Sequence, residues 1–220
     1  LPFDGDELHE ECGIFAVYGH ADASAHAALG LHALQHRGQE AAGIVSFDGQ
    51  HFHSHREIGL VGDNFSKKSV IEGLPGHAAI GHNRYSTTGA SMLRNVQPLF
   101  ADFAFGGLAL AHNGNLTNTD ELERWLKERD ASQEVPHKDR MDSTSDTALV
   151  TAIMATYSHL GVEGAALEVL PRLRGAFCFV FMDEHSLYAA RDPQGIRPLV
   201  LGRLANGWVV ASETAGLDIV

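Results

Sequence analysis

The chain has 220 residues, of which 44% are hydrophobic and 20% are charged, a composition typical of a globular protein with one large or two small domains. Its 16 basic and 28 acidic residues give a formal net charge of -12, which argues against nucleic-acid binding and against docking on an anionic membrane. No apolar run approaches the roughly 20 residues of a membrane span. Two cysteines, Cys12 and Cys178, are too few for a disulfide scaffold, so we expect a reducing, cytoplasmic location.

The hydrophobic pattern predicts strands at both ends of the chain and helices grouped between them. In chain order, the predicted elements are a strand over 13–19, a helix with a glycine stop over 23–38, a hairpin over 41–57, strands over 78–86 and 106–114, helices over 118–130, 145–160 and 161–175, and four short strands of an antiparallel sheet within 175–213. The hairpin turn is placed at Asp48-Gly49. This order favours a layered α+β fold.

Five polar clusters end or interrupt the apolar elements. They are Cys12-Gly13, the residues 36–40, the residues 83–87, the residues 112–115, and Ser145-Asp146-Thr147. A lone cysteine is more often a small buried hydrophobe than a nucleophile, and a nucleophilic thiol needs a group that removes its proton. Cys178 lies between two phenylalanines of a predicted strand, so we expect it in the core.

The other polar residues of these clusters each have two interpretations. Arg37 follows a predicted helix, where a cation offsets the helix dipole. Arg84 ends an apolar strand beside hydroxyl groups, where an arginine can hold a carboxylate with two hydrogen bonds. Asn113-Gly114 fits a hairpin turn, or a pair of N–H donors aimed at an oxyanion. Asp146 fits a helix N-cap, or a partner for a substrate ammonium group.

Fourteen histidines raise the question of a metal site, and HFHSH over 51–55 places three of them at a spacing of two. No cysteine pair or HExxH motif accompanies them, and the surrounding pattern is that of a hairpin. We therefore favour a solvent-facing edge strand over a metal site. Neither a Walker loop nor a GxGxxG motif supports nucleotide binding.

Eight segments, in this order, are similar to one family: ECGIFAVYG, LHALQHRGQEAAGI, IGHNRYSTTG, NVQPL, LALAHNGNL, STSDT, RDPQGIRPL and ASET. Together they resemble the glutaminase domain of the amidophosphoribosyltransferases, class II glutamine amidotransferases of the N-terminal-nucleophile hydrolase type. The resemblance extends from about Glu10 to the last residues. The form HRGQE over 36–40 distinguishes this family from the related glucosamine-phosphate and asparagine synthetases.

The resemblance implies a four-layer αββα sandwich with two antiparallel sheets, and the hydrolysis of glutamine to glutamate and ammonia. Cys12 would be the nucleophile that forms a glutamyl thioester, and Asn113 and Gly114 would form the oxyanion hole. The substrate-binding residues implied by the family motifs are Arg37, Arg84, Thr87 and Asp146.

The resemblance also divides the chain into a propeptide-like leader over 1–11 and a glutaminase domain over 12–220. Cleavage between Glu11 and Cys12 would release the leader and create a free α-amine on Cys12. A free α-amine has a pKa of about 7.7–8.0, suitable for a general base near neutral pH. An amide nitrogen cannot act as a base, so the chain with its leader attached should be a poor glutaminase.

Members of this family continue into a phosphoribosyltransferase domain, which uses the ammonia to convert phosphoribosylpyrophosphate to 5-phosphoribosylamine, the first step of de novo purine biosynthesis. We expect that domain, and the Mg²⁺ that it binds, to be absent from this chain. We expect no metal or cofactor in the chain itself, and a homo-oligomer as the full-length protein. Some members carry an iron–sulfur cluster, on which this sequence is silent.

Three other functions stay open at this point. The chain is compatible with the ammonia-donating domain of another class II amidotransferase. It is also compatible with a glutamine-binding module whose chemistry is silent because Cys12 stays capped. A histidine-rich metal hydrolase is the remaining alternative.

Overall fold

The computed structural model of this protein describes residues 12–85, 93–103, 106–130 and 145–220. The predicted leader, including Glu11, and the predicted substrate-binding residue Thr87 lie outside the described residues. None of the helices in the described ranges is long and apolar enough to cross a membrane.

The strands of the described residues form two antiparallel sheets. They are β1 (Gly13–Tyr18), β2 (Ala41–Phe47), β3 (Phe52–Ile58), β4 (Ala78–Arg84), β5 (Leu99–Phe103), β6 (Gly106–Leu116), β7 (Gly175–Met182), β8 (Leu187–Arg191), β9 (Val200–Leu204) and β10 (Gly207–Ala211). One sheet has six strands in the order β3-β2-β4-β1-β10-β9, and the other has four in the order β5-β6-β7-β8. Every neighbouring pair is antiparallel.

The helices cover the outer faces of the two sheets. They are α1 (Ala23–Ala33), α2 (Val61–Phe65), α3 (Lys68–Glu72), α4 (Thr119–Asp130), α5 (Asp146–Ala155), α6 (Gly161–Val169) and α7 (Thr214–Leu217). Side chains of α1, α2, α3 and α7 pack on the six-stranded sheet. Side chains of α4, α5 and α6 pack on the four-stranded sheet.

A third hydrophobic cluster fills the space between the two sheets, so β1 is buried on both of its faces. Ile14 and Ala16 face the opposite sheet, whereas Phe15 and Val17 face α1. This explains why the segment is a continuous apolar run rather than an alternating one. The predicted four-layer αββα sandwich is therefore confirmed.

The predicted helix over 23–38 is wrong at its end, because α1 stops at Ala33. The buried amide of Asn83 on β4 donates to the carbonyls of Leu31 and Leu34, at 3.3 and 2.7 Å, and satisfies the helix end. A short 3₁₀ turn follows, and Gly38 then passes so close to β4 that a Cβ would lie 2.6 Å from the carbonyl carbon of Arg84. The glycine is required by this close approach.

The hairpin over 41–57 is confirmed, since β2 and β3 pair around a turn at Asp48-Gly49. The Asp48 carboxylate accepts from the backbone N–H of Gln50 and His51, at 2.8 and 2.7 Å. The edge-strand interpretation of HFHSH is also confirmed, because β3 lies at the edge of its sheet. Within the described ranges, no group of three or more His, Cys, Asp or Glu residues could hold a metal ion.

The pattern had predicted that the last four strands form one sheet, and this prediction is wrong. β7 and β8 belong to the four-stranded sheet, and β9 and β10 cross to the six-stranded one. Four short elements, α2, α3, α7 and β5, were not predicted. Each has five residues or fewer, too short for a hydrophobic period to be visible.

Candidate active site

A cavity of about 220 Å³ brings together the start of β1, the end of β4, the middle of β6 and the start of α5. Five residues predicted from the sequence line it: Cys12, Arg84, Asn113, Gly114 and Asp146. A larger cavity of about 400 Å³ lies between α1 and α2, but the described residues that line it are mostly apolar and include no cysteine or carboxylate. The chemistry predicted from the sequence therefore converges on the smaller, polar cavity.

Cys12 stands at a sharp bend where the chain enters β1. Its φ is 59°, a left-handed conformation that is uncommon for a residue with a side chain. Its thiol lies 3.6 Å from the carbonyl oxygen of Tyr85, and it is half-buried. The next residue must be Gly13, because a Cβ there would lie 2.1 Å from Oδ1 of Asn83. The bend presents the sulfur to the cavity, so the buried-hydrophobe interpretation does not apply to Cys12.

Arg37 does not line the cavity but lies behind Cys12, with only 1% of its side chain exposed. Its Nε donates to the Cys12 carbonyl at 2.7 Å, and its own carbonyl accepts from the Cys12 N–H at 2.8 Å. Glu213, in the ASET segment, places Oε2 3.8 Å from Nη1 of Arg37 and Oε1 2.5 Å from Nε2 of His36. Arg37 thus holds the backbone of Cys12 on both sides, a role that helix-dipole reasoning had not anticipated.

Asn113 and Gly114 lie inside the long strand β6 rather than in a hairpin turn. They pair with Cys178 and Phe177 of β7. Asn113 is 1% exposed, and neither its amide nitrogen nor its amide oxygen has a hydrogen-bond partner among the described residues. A buried, unsatisfied amide costs about 1–3 kcal/mol, so an amide of this kind in a cavity wall is typical of a group that bonds to a ligand. The hairpin-turn interpretation is wrong.

Arg84 is the last residue of β4 and lines the cavity. Its Nη1 donates to the Asn95 carbonyl at 2.8 Å, which fixes one side of the guanidinium group. Its buried Nε has no hydrogen-bond partner in the part of the chain that the structure describes. The guanidinium group of Arg84 therefore keeps N–H donors available for an anionic ligand.

Asp146 is the first residue of α5, and the N-cap is its neighbour Ser145, whose Oγ accepts from the N–H of Ala148 at 3.3 Å. The Asp146 carboxylate accepts from the N–H of Leu116 at 3.0 Å through Oδ2 and lines the cavity. The N-cap interpretation of Asp146 is wrong, and its carboxylate is placed where it can meet a cationic group.

Cys178 is fully buried between the two sheets, as predicted. Burial raises the pKa of its thiol to about 12, with a further contribution from Asp192, so the thiolate is not formed at neutral pH. Cys178 is therefore an unreactive core residue, and the two cysteines differ sharply in environment.

Two histidines, His82 and His112, form part of the cavity wall, and His82 was not predicted from the sequence. His82 lies on β4 two residues before Arg84. Since side chains two residues apart lie on the same face of a strand, this spacing could have predicted that His82 lines the site with Arg84. His112 stacks on Phe179 with ring centroids 4.4 Å apart, and its Nδ1 lies 3.5 Å from Oγ1 of Thr147. Both histidines therefore belong to the buried wall of the cavity.

Both of these histidines are neutral at physiological pH. Burial, together with the positive charge of Arg84, lowers the pKa of His82 from 6.5 to about 3. Burial likewise lowers the pKa of His112 to about 3, with a smaller contribution from Arg197. Neither histidine adds positive charge to the cavity.

Arg197 is a further cavity residue to which the sequence analysis gave no role. It lies between β8 and β9, in the segment RDPQGIRPL that had contributed to the family resemblance. Gln97, from the segment NVQPL, also lines the cavity, and its Oε1 accepts from the N–H of His112 at 2.6 Å. Both segments were recognised from the sequence, but their part in the site was not.

The fold and the site define a glutamine amidotransferase. Residues 82–218 match the family described as "Glutamine amidotransferase domain", and the chain belongs to that family. Among its relatives are proteins named amidophosphoribosyltransferase. One from Rhizobium etli is 49% identical over 219 residues, covering 100% of this chain and 42% of the relative. One from Mycobacterium leprae is 50% identical over 220 residues, covering 99% of this chain and 39% of the relative.

Solved structures agree with these relatives. Glutamine phosphoribosylpyrophosphate amidotransferase from B. subtilis, complexed with ADP and GMP, superposes with a TM-score of 0.82 at 37% identity, covering 94% of this chain and 43% of that one. A structure described as the allosteric regulatory enzyme of purine biosynthesis gives a TM-score of 0.85 at 38% identity, with the same two coverages of 94% and 43%. The predicted resemblance is confirmed, and the chain spans about two fifths of the length of these relatives.

Proposed function

We propose that this chain hydrolyses the side-chain amide of glutamine to glutamate and ammonia, with Cys12 as the nucleophile. One observation carries the proposal: the same cavity collects a thiol, an arginine, a carboxylate and an amide that has no hydrogen-bond partner among the described residues. Free glutamine has an α-carboxylate, an α-ammonium and a neutral amide, and each group has a complement in this set. The cavity volume of about 220 Å³ suits a single small amino acid.

Two charged residues bind the substrate in this proposal, Arg84 at the end of β4 and Asp146 at the start of α5. Arg84 holds the α-carboxylate, assisted by Thr87, and Asp146 holds the α-ammonium. Arg37 acts indirectly, since its Nε and its carbonyl bond to the backbone of Cys12 and keep the nucleophile in place. This arrangement selects an amino acid with both α-groups free.

The reaction passes through two tetrahedral intermediates. The sulfur of Cys12 attacks the amide carbon, and the electron pair of the C=O bond moves to oxygen, which is stabilised by the side-chain amide of Asn113 and the backbone N–H of Gly114. One such donor is typically worth a factor of about 100 to 1,000 in rate. Collapse of the intermediate breaks the C–N bond and expels ammonia, which takes up the proton removed from the thiol, and a glutamyl thioester is left. Water then attacks the thioester and releases glutamate.

The base in this proposal is the α-amine of Cys12, which exists only after residues 1–11 are removed. Release begins when the Cys12 thiol attacks the Glu11 carbonyl: the Glu11–Cys12 peptide bond breaks, the thiol proton passes to the Cys12 nitrogen, and the leader is left as a thioester on the sulfur. Water then hydrolyses this thioester, which frees the leader with a Glu11 carboxylate and restores the thiol. The Arg37 carbonyl, 2.8 Å from the Cys12 nitrogen, accepts one N–H of the resulting amine. The amine lone pair stays available to take the thiol proton. The sequence of residues 12–220 then functions as an N-terminal-nucleophile hydrolase.

The complete protein, by analogy with its relatives, joins this domain to a phosphoribosyltransferase domain. The relatives named amidophosphoribosyltransferase are more than twice as long as this chain, which supports a partner of that kind. There the ammonia converts phosphoribosylpyrophosphate, bound with Mg²⁺, to 5-phosphoribosylamine in purine biosynthesis. A cytoplasmic homo-oligomer is the assembly that we propose for the complete protein.

The hydrolysis is tested by measuring glutamate released from glutamine by the chain, by Cys12→Ala and by the matched control Cys178→Ala. The Cys12 variant should lose activity completely, whereas the Cys178 variant should keep most of it because its thiol is inert. A glutamine-like electrophile should label Cys12 and spare Cys178. Activity that survives in Cys12→Ala, or is lost after chelation, would refute the assignment.

The release of the leader is tested by intact-mass measurement during expression and storage. The unmodified chain should lose residues 1–11, whereas Cys12→Ala should keep them, and glutamate release should rise in step with cleavage. A chain that keeps its leader permanently and is nevertheless fully active would contradict the role of the α-amine.

A further inference from the structure

The segment Ser212-Glu213, which directly follows β10, is bonded to the strand that carries the nucleophile. Ser212 is fully buried, and its Oγ accepts from the N–H of Ile14 at 2.9 Å. The N–H of Ser212 donates to the Ile14 carbonyl at 3.0 Å, so the two residues are bonded in both directions. Because Ile14 stands two residues after Cys12, this pairing fixes the backbone of Glu213 close to the nucleophile.

The carboxylate of Glu213 does not cap the helix that follows it. Glu213 occupies the N-cap position of α7, but its side chain accepts no hydrogen bond from that helix. It faces the 3₁₀ turn over 35–37, where Oε1 lies 2.5 Å from Nε2 of His36 and Oε2 lies 3.8 Å from Nη1 of Arg37. A local role in α7 therefore does not account for this carboxylate.

The two contacts of Glu213 differ in their surroundings. The side chain of His36 is 58% exposed, and an ion pair in such a setting contributes little because water screens it. The side chain of Arg37 is 1% exposed, so its charge lies in the interior, where a nearby carboxylate interacts with it more strongly. We therefore expect the contact with Arg37 to have the larger effect on the site.

The guanidinium group of Arg37 links Glu213 to the nucleophile. Its Nε donates to the Cys12 carbonyl at 2.7 Å, and its Nη1 faces Glu213. Because the guanidinium group is rigid and planar, a carboxylate that attracts Nη1 also restricts the direction in which Nε points. Cys12 needs such support while the leader is attached, since its left-handed φ of 59° is unfavourable for a residue with a side chain.

We infer that Glu213 is a positioning residue, which orients Arg37 and, through it, the carbonyl of Cys12. Glu213 is not among the described residues that line the cavity, so it acts on the nucleophile and not on the substrate. The inference rests on the proposed glutaminase function. Leader release and attack on glutamine both require a correctly placed Cys12 sulfur, so both steps depend on this carboxylate.

The first test measures glutamate release by the full chain, by Glu213→Gln and by the control Glu121→Gln, normalised to the fraction whose leader has been released by intact mass. Glu213→Gln should lower kcat by about tenfold, less than the roughly 100-fold loss typical of a displacement of about 1 Å. Glutamine KM should change by less than about threefold, because Arg84 and Asp146 still bind the α-groups. Glu121, which lies 3.4 Å from Arg174 in an exposed pair, should be dispensable.

The rate of leader release supplies a second readout. Intact mass followed over time should show slower release in Glu213→Gln than in the unmodified chain and in Glu121→Gln. The melting temperature of each variant is measured in parallel. If release and kcat fall only in proportion to the folded fraction, Glu213 supports the fold alone and the inference is overturned.

A double-variant cycle tests whether Glu213 acts through Arg37. Arg37→Lys keeps the charge but lacks the planar group, so adding Glu213→Gln to it should lower kcat by less than about twofold. Losses that multiply would show that Glu213 acts independently of Arg37. His36→Gln should change kcat by less than about twofold, and a loss equal to that of Glu213→Gln would assign the effect to the exposed pair instead.

The failure of this inference differs from the failure of the proposed function. A normal kcat and normal leader release in Glu213→Gln, or a change confined to KM, would overturn the positioning role. An unmodified chain that releases its leader but produces no glutamate would overturn the glutaminase function itself.

Discussion

Gly114 lies within β6 and has a φ of 129°, a conformation that residues with a Cβ rarely adopt. A Cβ at this position would also lie 2.0 Å from the carbonyl oxygen of Ala176 on β7. Gly49, in the hairpin turn, has a similar φ of 100° but would meet nothing within 4 Å. Both glycines therefore have a strained backbone conformation for any other residue, but only Gly114 also has a steric conflict with the neighbouring strand.

Gly114→Ala should lower the free energy of unfolding by more than Gly49→Ala does. The conformation alone costs roughly 1–2 kcal/mol in both variants, and the clash with Ala176 adds to it only at Gly114. Urea denaturation followed by circular dichroism measures both, and glutamate release should fall only in Gly114→Ala. Equal losses of stability in the two variants would show that the neighbouring strand yields to the methyl group.

At the scale of elements, the end of α1 is what delivers Arg37 to the nucleophile. The helix stops at Ala33, the chain turns through 35–37, and Arg37 enters the interior behind Cys12. The buried side chain of Asn83 satisfies the last carbonyls of the helix. The same amide lies against Gly13, so one residue of β4 sets the spacing between helix, turn and nucleophile.

Asn83→Ala should cost about 1–3 kcal/mol of unfolding free energy, because it removes two donors from buried carbonyls. Glutamate release should fall as well, since Arg37 loses the fixed helix end that positions it. Asn64→Ala is the control, because its amide donates to the Ile58 carbonyl in an exposed setting, and it should change stability by less than about 0.5 kcal/mol. A loss of stability in Asn83→Ala with unchanged activity would show that the end of α1 is not needed to position Arg37 at the site.

At the scale of the whole molecule, the two neutral histidines make the sandwich sensitive to acid. His82 and His112 are each almost fully buried, on adjacent sheets, and both have a pKa near 3 in the folded state against 6.5 in the unfolded chain. Above pH 6.5 both states are uncharged at these positions. As the pH falls below 6.5, these two histidines bind protons in the unfolded chain but not in the folded protein. The free energy of unfolding therefore decreases, and it continues to decrease down to about pH 3.

Urea denaturation between pH 7 and 4.5 should show this loss, with a slope of up to about 3 kcal/mol per pH unit from two such groups. His82→Gln and His112→Gln should each remove about half of the slope, whatever their effect on stability at pH 7. A slope that persists in the double variant His82→Gln/His112→Gln would assign the acid sensitivity to other groups.

The sequence by itself determined the order of the long elements, the hairpin at Asp48-Gly49, the edge strand and the family. It also picked out Cys12, Arg84, Asn113, Gly114 and Asp146, which the fold does bring into one cavity. Such features are local: they depend on periodicity, turn residues and the presence of polar groups at the ends of apolar strands. The predicted roles of these residues follow from the family motifs and await the experiments described above.

Only the tertiary structure decided that Arg37 is buried behind Cys12, that Asn113-Gly114 lies within a strand, and that Arg197 reaches the cavity. It also decided that the last four strands divide between two sheets. The reason is that burial and charge partners arise from contacts between distant segments, such as the bond from the Ile14 N–H to Oγ of Ser212, which are 198 residues apart. Local patterns show which residues are able to form a site, and long-range packing decides which of them meet.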